Sequence, residues 1–474
     1  MSTPANPYNP LQPVEEFSLF YGREDALAFF RQNLVGAHHR HALVLLGWRG
    51  IGKSSLLRQL SHQIDERYRL CAINLGELDL PRIDVLLAAL VDNILLTLED
   101  AEVSTYRLPE WPDLEGEALV DWFFGDYLGV ALAALRQRHL LLVLDDAHLL
   151  LNDPGREPVA GEAVEGTSAS VTGRDFLARL AAVIGAQDRL DVICALDATF
   201  EDRALQIDLL NNPALHFRLA ELPLGEAEFL VRESFEVVTE FEDGVVEEIL
   251  VQAGGHPFLL HSICRLLYRR SEERAHAGPV TTHDLAAVSD AVYEQIDDVY
   301  RPLWADSNQN ERLTLTGLVH LSRREPGRAV ALDRLHTWLA SSGSTITTTQ
   351  LAAALRSLDY KGLVRPDGDV YSLPATLLST WVEANSGIAA GAAPVSRAEM
   401  RLVPIIGVIV VVVLIAVLGV ASFSGLFDTG DESSDSDLAT RELDFTVPAP
   451  DEPLTLTPGT PVLPADDDDV SLDE

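Results

Sequence analysis

Residues 47–54 read Gly-Trp-Arg-Gly-Ile-Gly-Lys-Ser, with glycines spaced so that a backbone can curl tightly just before a lysine and a hydroxyl. Gly47, Gly50 and Gly52 permit left-handed turns, so several N–H groups can converge on one anion. A helix beginning at Lys53 would aim its positive end at the same point. Lys53 is then placed for the β- and γ-phosphates of a nucleotide, the Ser54 hydroxyl for Mg²⁺, and Ser55 completes the nucleotide-contacting set. The spacing is the full phosphate-loop pattern, so the expected ligands are ATP or ADP with Mg²⁺. Only one other lysine, Lys361, occurs among the 35 basic residues.

A second constellation lies at residues 139–146, His-Leu-Leu-Leu-Val-Leu-Asp-Asp. Five aliphatic residues make a strand too apolar to be anything but central, and its end delivers two carboxylates. Asp145 is expected to hold Mg²⁺, directly or through water, and Asp146 to orient or deprotonate an attacking water. An aspartate reaches less far than a glutamate, so hydrolysis is expected to be slow.

Elements that would position these residues alternate between short aliphatic runs and helical periods, the mark of an α/β fold with a parallel sheet. Strands are expected at 41–46, 70–75, 139–145, 190–196 and 216–219. Helices are expected at 53–64, 82–99, 117–136 and 175–186, with a surface insertion at 153–173. Helical periodicity then runs from 225 to about 291. Three helices at 311–321, 331–340 and 348–361, with a Pro-Asp-Gly turn at 366–368 and a short strand, predict a winged helix-turn-helix. The expected order is a flexible N-terminus (1–18), a P-loop NTPase α/β domain (19–222), a helical lid (223–304), a winged-helix domain (305–384), a linker (385–401), a transmembrane helix (402–424) and a disordered acidic, proline-rich tail (425–474).

Composition sets further bounds. The formal net charge of −38 argues against non-specific attraction to nucleic acid. From residue 428 onward, 15 acidic residues and one basic residue leave a net −14, so the body carries the other −24. Residues 402–420 hold no charge and are apolar all round, long enough to span a bilayer as a helix. Arg397 and Arg401 precede this run, and Asp428, Asp431 and Glu432 follow it. The positive-inside rule therefore predicts a single-pass cell-membrane protein with its ATPase in the cytoplasm and its tail outside. Cys71, Cys194 and Cys264 sit in apolar runs without metal-ligand spacing, which predicts buried free thiols.

Phe20-Tyr21-Gly22-Arg23-Glu24, followed by a helix, resembles the entry motif of the STAND signalling ATPases and of the related origin-recognition-type AAA+ proteins. Gly255-His256-Pro257-Phe258 resembles the G-x-P motif of the STAND group. The resemblance covers roughly residues 20–383 and implies that Gly22, Arg23 and Pro257 lie against the nucleotide base. No arginine stands early in the lid helix where AAA+ proteins carry a sensor, which tilts the choice towards STAND. Asp197 or Thr199, after the fourth strand, is in position to watch the γ-phosphate. Arg218 reads as an ordinary strand-edge arginine, and His148 as structural.

The resemblance implies a membrane-anchored switch: ADP closes the lid and winged helix, and ATP opens them and permits homo-oligomerisation, with a protein partner not identified by the sequence. One alternative is an origin-recognition-like AAA+ ATPase acting on DNA. The expected winged helix, however, balances eight basic residues with eight acidic ones, which argues against DNA. The other alternative is a non-hydrolysing, membrane-tethered scaffold.

Overall fold

The computed structural model describes residues 6–386 apart from 16, 35–39, 81, 152–170, 237–238, 275–276 and 326. The chain divides into two compact units, Met1–Val395 and Ser396–Glu474, and every described residue belongs to the first.

Three runs with both faces buried, β1 (Leu43–Gly47), β3 (His139–Asp145) and β4 (Leu190–Asp197), form the middle of a sheet. With β2 (Tyr68–Asn74) and β5 (His216–Arg218) they pair in the order β2-β3-β4-β1-β5, all parallel. Strands buried on both sides need helices on both sides, and the sequence supplies them. On one face pack α1 (Glu24–Leu34) and α2 (Lys53–Leu60). The other carries α3 (Ile83–Asp100), α4 (Gly116–Trp122), α5 (Leu128–Ala134) and α6 (Gly173–Ala186). The single helix expected at 117–136 is interrupted by a π-helical turn at Phe123–Tyr127. A one-turn helix, α7 (Glu201–Ala204), follows β4. This is an α/β P-loop NTPase with a five-stranded parallel sheet. The three cysteines are free and buried.

Beyond the sheet come α8 (Leu224–Glu236), α9 (Val245–Ala253), α10 (Pro257–Glu273) and α11 (Thr282–Asp306). They are followed by α12 (Gln309–Arg324), β6 (Val330–Ala331), α13 (Leu332–Ser341), α14 (Thr348–Tyr360), β7 (Arg365–Asp367), β8 (Val370–Ser372) and α15 (Thr376–Asn385). The three short strands form an antiparallel sheet in the order β6-β8-β7. Capping boxes at Thr281/Asp284, Asn308/Glu311 and Thr347/Gln350 satisfy the first N–H groups of α11, α12 and α14 and fix where each begins. These helices share one hydrophobic core, which also takes in Tyr8, Trp48, Ala198 and Leu222 from the sheet-bearing part.

Within the segment expected as a flexible N-terminus, Tyr8 is 2% exposed and residues 8–15 are hydrogen-bonded at both ends, because an aromatic ring and paired backbone groups repay the entropy of ordering them. One expectation is overturned, single-pass membrane localisation: no helix among the described residues is long and apolar enough to cross a membrane. The longest, α11, carries Asp290, Glu294, Asp297, Asp298 and Arg301 beside its buried face, so it is not apolar all round. The stretch at 402–424 that prompted the expectation, the linker from 387, the tail, and nearly all of the insertion at 153–173 lie outside the described residues.

One buried ion pair holds α12 to the end of α14. Lys361 Nζ donates to Glu311 Oε2 at 2.9 Å, with side-chain exposures of 8% and 6%. Burial pushes the Glu311 carboxyl up, but hydrogen bonds from Lys361 and Ser357 outweigh it and leave the group below its ordinary value. Lys361→Met should therefore cost about 3 kcal/mol in urea denaturation, since it strands a buried carboxylate. Arg323→Met, which breaks the exposed pair with Glu383, should cost less than about 1 kcal/mol. The lowered carboxyl stabilises the fold above its unfolded pKa, so the Lys361 contribution should fade as pH drops below about 4.

Candidate functional site

Parallel register brings the carboxyl ends of four strands to one line. Gly47 pairs with Asp197 and Asn74 with Asp145, so the loop after β1 faces the acids that close β3 and β4. Sheet order reverses around β1, the kind of switch point where open α/β sheets leave a crevice. A cavity of about 620 Å³ opens there. Gly50, Gly52, Lys53, Ser54 and Ser55 line it on one side, Gly76, Asp146, His148 and Asp197 on another, and Pro257, Phe258 and His261 on a third. That volume suits a nucleotide-sized ligand.

The loop needs its glycines for two reasons. Gly50 and Gly52 have φ of 75° and 101°, the left-handed region that side chains avoid. A Cβ on Gly50 would also lie 2.8 Å from the Cβ of Phe258, so the loop and the start of α10 touch with no room between them. Gly52 caps α2, whose first residue, Lys53, is buried. The ammonium of Lys53 donates to the carbonyls of Gly47 (2.9 Å) and Trp48 (3.2 Å). Burial lowers its pKa, while the charges of Asp197, Asp145 and Asp146 oppose the drop.

Asp145 does not line the cavity itself but stands behind it, 8% exposed, hydrogen-bonded to Ser54 and accepting the Asp146 N–H at 3.0 Å. Burial raises its carboxyl pKa and the neighbouring Asp146 adds to this, while Ser54 and Lys53 pull it down. A buried carboxylate short of positive charge, touching a hydroxyl, is a donor set that fits Mg²⁺. Asp146 reaches the cavity by adopting φ of 54°, tolerated by aspartate at a cost of roughly 1 kcal/mol. Its Oδ2 lies 2.9 Å from where a Cβ on Gly76 would be, so a side chain at 76 would push that carboxylate from this position.

The entry motif lies elsewhere than at the cavity wall. Neither Gly22 nor Arg23 lines it. Arg23 is 5% exposed and donates to the carbonyls of Ala220 (2.7 Å) and Ile51 (2.9 Å), clamping the phosphate loop to the strand that leads into α8. Burial lowers this guanidinium to about 10. Gly22, with φ of 64°, abuts Glu226 of α8. Pro257 opens α10 and does line the cavity. Thr199 donates both its N–H and its hydroxyl to Asp197 Oδ1 (3.0 and 2.7 Å), so Asp197 is the one of that pair that faces the cavity. Arg218 points away, pairing with Glu201 and lying 3.9 Å over the Tyr360 ring.

Sequence reasoning missed Gly76, and it read His148 as structural only. His148 lines the cavity with its Nδ1 3.9 Å from Asp146 Oδ1 and its ring 5.0 Å from Phe200. Its place two residues after the paired acids was the available signal. His256 and His261, on the lid side, each have a buried Nδ1 lacking a hydrogen-bond partner.

Residues 19–193 match the family model described as an AAA ATPase domain. Among solved structures, a Walker-type ATPase of Pyrococcus abyssi is similar at a TM-score of 0.54 and 17% identity, over 78% of this chain and 98% of that one. Looser likenesses include Cdc6p from Pyrobaculum aerophilum (TM-score 0.38, 15% identity, 76% of this chain and 94% of that one) and the Aeropyrum pernix Orc1 protein in complex with DNA (0.39, 14%, 80% and 94%). No curated protein matches the sequence. The Pyrococcus likeness speaks for the fold alone and extends it from the AAA ATPase domain through the helices beyond.

Burial holds His256 and His261 at a pKa of about 4, with the nearby charges of Arg23 and Lys53 adding to the drop at His256. A histidine whose folded pKa is depressed stabilises the fold above its unfolded pKa of about 6.5, and that stability is lost as pH falls from there towards 4. Thermal stability should therefore fall between pH 7 and 5. His261→Leu should flatten the decline by on the order of 1–2 kcal/mol at pH 5, read from melting curves at both pH values.

Proposed function

We infer that this chain is a nucleotide-dependent switch of the STAND type, in which the AAA ATPase domain binds Mg·ATP, hydrolyses it slowly, and changes the seating of the helices that follow. The observation that carries this reading is the contact between the phosphate loop and the far end of the chain. Trp48, inside the loop, meets the ring of Tyr360 edge-on at 6.0 Å, and its Nε1 is 3.3 Å from where a Cβ on Gly362 would be. Tyr360 also donates its hydroxyl to the Ala198 carbonyl at 3.0 Å, directly after β4. Lys53 meanwhile spends its ammonium on the carbonyl of the same Trp48.

In this reading Gly47, Gly50, Gly52, Lys53, Ser54 and Ser55 cradle the phosphates. Ser54 and Asp145 would hold Mg²⁺, which when bound neutralises charge across the β- and γ-phosphates. The γ-phosphate draws the Lys53 ammonium from the carbonyls of Gly47 and Trp48, because a charge-assisted bond outweighs a neutral one. Asp146 accepts a proton from, or orients, the attacking water. Freed from Lys53, the Trp48 segment changes its fit against Tyr360 and Gly362, and only this difference between ADP and ATP contacts can drive a shift. The three helices and small antiparallel sheet at α12 to β8 support a winged-helix reading, used here as a clamp. Their balanced charge, with Lys361 committed to Glu311, favours protein contact over DNA. Exposure of that clamped face would allow homo-oligomerisation.

ATP turnover should fall about 100-fold in Asp146→Asn and Lys53→Ala. A parent rate equal to those of the variants would leave a non-hydrolysing scaffold as the better reading. Tyr360→Ala should give the ATP-like hydrodynamic size in ADP, whereas a size unchanged by nucleotide in the parent and by the substitution would sink the switch.

A further inference from the structure

The nucleotide cavity has a wall that comes from neither the sheet nor the lid. The run Asn9 to Val14 lines part of it. Since phosphates belong at Gly50 to Ser55, the remaining space beside this run, Pro257, Phe258 and His261 is left for the base and ribose. We propose that residues 8–15 are a strap that closes the base end of the cavity and sets the rate of nucleotide exchange, with Tyr8 as its plug. The proposal rests on the nucleotide-site reading above and adds to it a gate on that site.

The strap is tied to two different bodies. At one end the Tyr8 hydroxyl donates to the Val231 carbonyl at 2.9 Å, with the Leu230 carbonyl at 3.2 Å. Its ring packs against Phe235, His261 and Tyr268 at 5.5, 5.7 and 6.5 Å, inside the lid core. The Asn6 amide donates to the Arg265 carbonyl of α10 at 3.1 Å. At the other end the Val14 N–H donates to Ser55 Oγ at 3.0 Å. Gln59 of α2 donates to the carbonyls of Val14 (3.0 Å) and Glu15 (2.9 Å), and Arg58 pairs with Glu15.

Between the ties the run bridges open surface. Leu11 at its tip is 74% exposed, so its own packing does little to hold the strap down. Pro7, Pro10 and Pro13 fix three backbone angles, and Asn9 holds the bend by accepting the Leu11 N–H at 3.2 Å and donating to Gln12 at 2.8 Å. A stiff bridge anchored on both α2 and the lid cannot swing aside alone. Either Tyr8 withdraws from the lid core or the lid moves relative to α2, so release of nucleotide is coupled to lid position.

The test is release of a fluorescent ADP analogue from the full chain, chased with unlabelled ADP, in Tyr8→Ala, Tyr8→Phe and Gln59→Met. Release should speed up about tenfold in Tyr8→Ala and about two- to fivefold in the other two, because loosening a closure acts on dissociation. Pyrophosphate binding, which needs only the phosphate loop, should stay within about twofold in all three. Where Tyr8→Ala fails to fold, the other two variants decide by the same measure. Release within about twofold of the parent in every folded variant overturns the strap. A parent chain that binds pyrophosphate and ADP not at all overturns the nucleotide reading beneath it instead.

Discussion

Lys53 puts an ammonium group into a buried position where the cavity meets the end of β1, and most of the site can be understood as the means of keeping it there. An unpaired buried ammonium would cost several kcal/mol or give up its proton. Here two loop carbonyls accept its hydrogens, while Asp145, Asp146 and Asp197 surround it with negative charge. The loop can bend its carbonyls inward only because Gly50 and Gly52 take left-handed angles, and it is held in that bend by Arg23 on the Ile51 carbonyl. Asp145 is in turn left with a raised pKa by the same burial. A bound polyphosphate and a divalent cation would relieve both groups together, which is why the donor set reads as one site rather than two.

The outer side of the same loop belongs to a different core. Trp48 is 7% exposed and packs with the lid and the C-terminal helices, not with the sheet. Ala198 and Leu222 do likewise. The Gly254-Gly255 turn tightens this seam. A Cβ on Gly254 would lie 2.0 Å from the Pro374 carbonyl oxygen, and one on Gly255 would lie 2.5 Å from that of Leu222. Arg365 then donates to the Gly254 carbonyl at 2.6 Å. Close-packed seams repack between discrete arrangements more readily than they stretch. A change of a few tenths of an ångström at the loop therefore has nowhere to dissipate before it reaches Tyr360 and Gly362.

What the sequence made legible was what depends on neighbours along the chain. The five expected strands lie within two residues of the observed ends, and three of them, β1, β3 and β4, are unmistakable because burial on both faces demands an apolar run. The phosphate loop was readable since its glycines, lysine and serine act within eight residues. Gly76 was not, because its need for a missing Cβ is imposed by Asp146, seventy residues away. Tyr8 looked like part of a polar, proline-rich entry, and only its partners at Leu230 and Val231 make it a core residue. Arg23 was expected against the base through its motif, while its fork donates to the carbonyls of Ala220 and Ile51, partners that no spacing along the chain announces. Membrane placement failed for a related reason: it rested on a stretch outside the described residues, while α11, the longest described helix, carries too many charges to lie in lipid.

Asp146 carries the remaining tension in the site. Its left-handed backbone and its short side chain turn the carboxylate towards Gly76 and His148, with Oδ1 3.9 Å from the His148 ring. Burial lowers the pKa of that histidine, so near neutral pH it is an uncharged neighbour rather than an ion-pair partner. The Asp146 carboxylate therefore gains little hold from His148 at 3.9 Å. On the switch reading that is the useful arrangement: cleavage would wait on a rearrangement around Asp146, and the time spent with ATP bound would be set by how rarely it occurs.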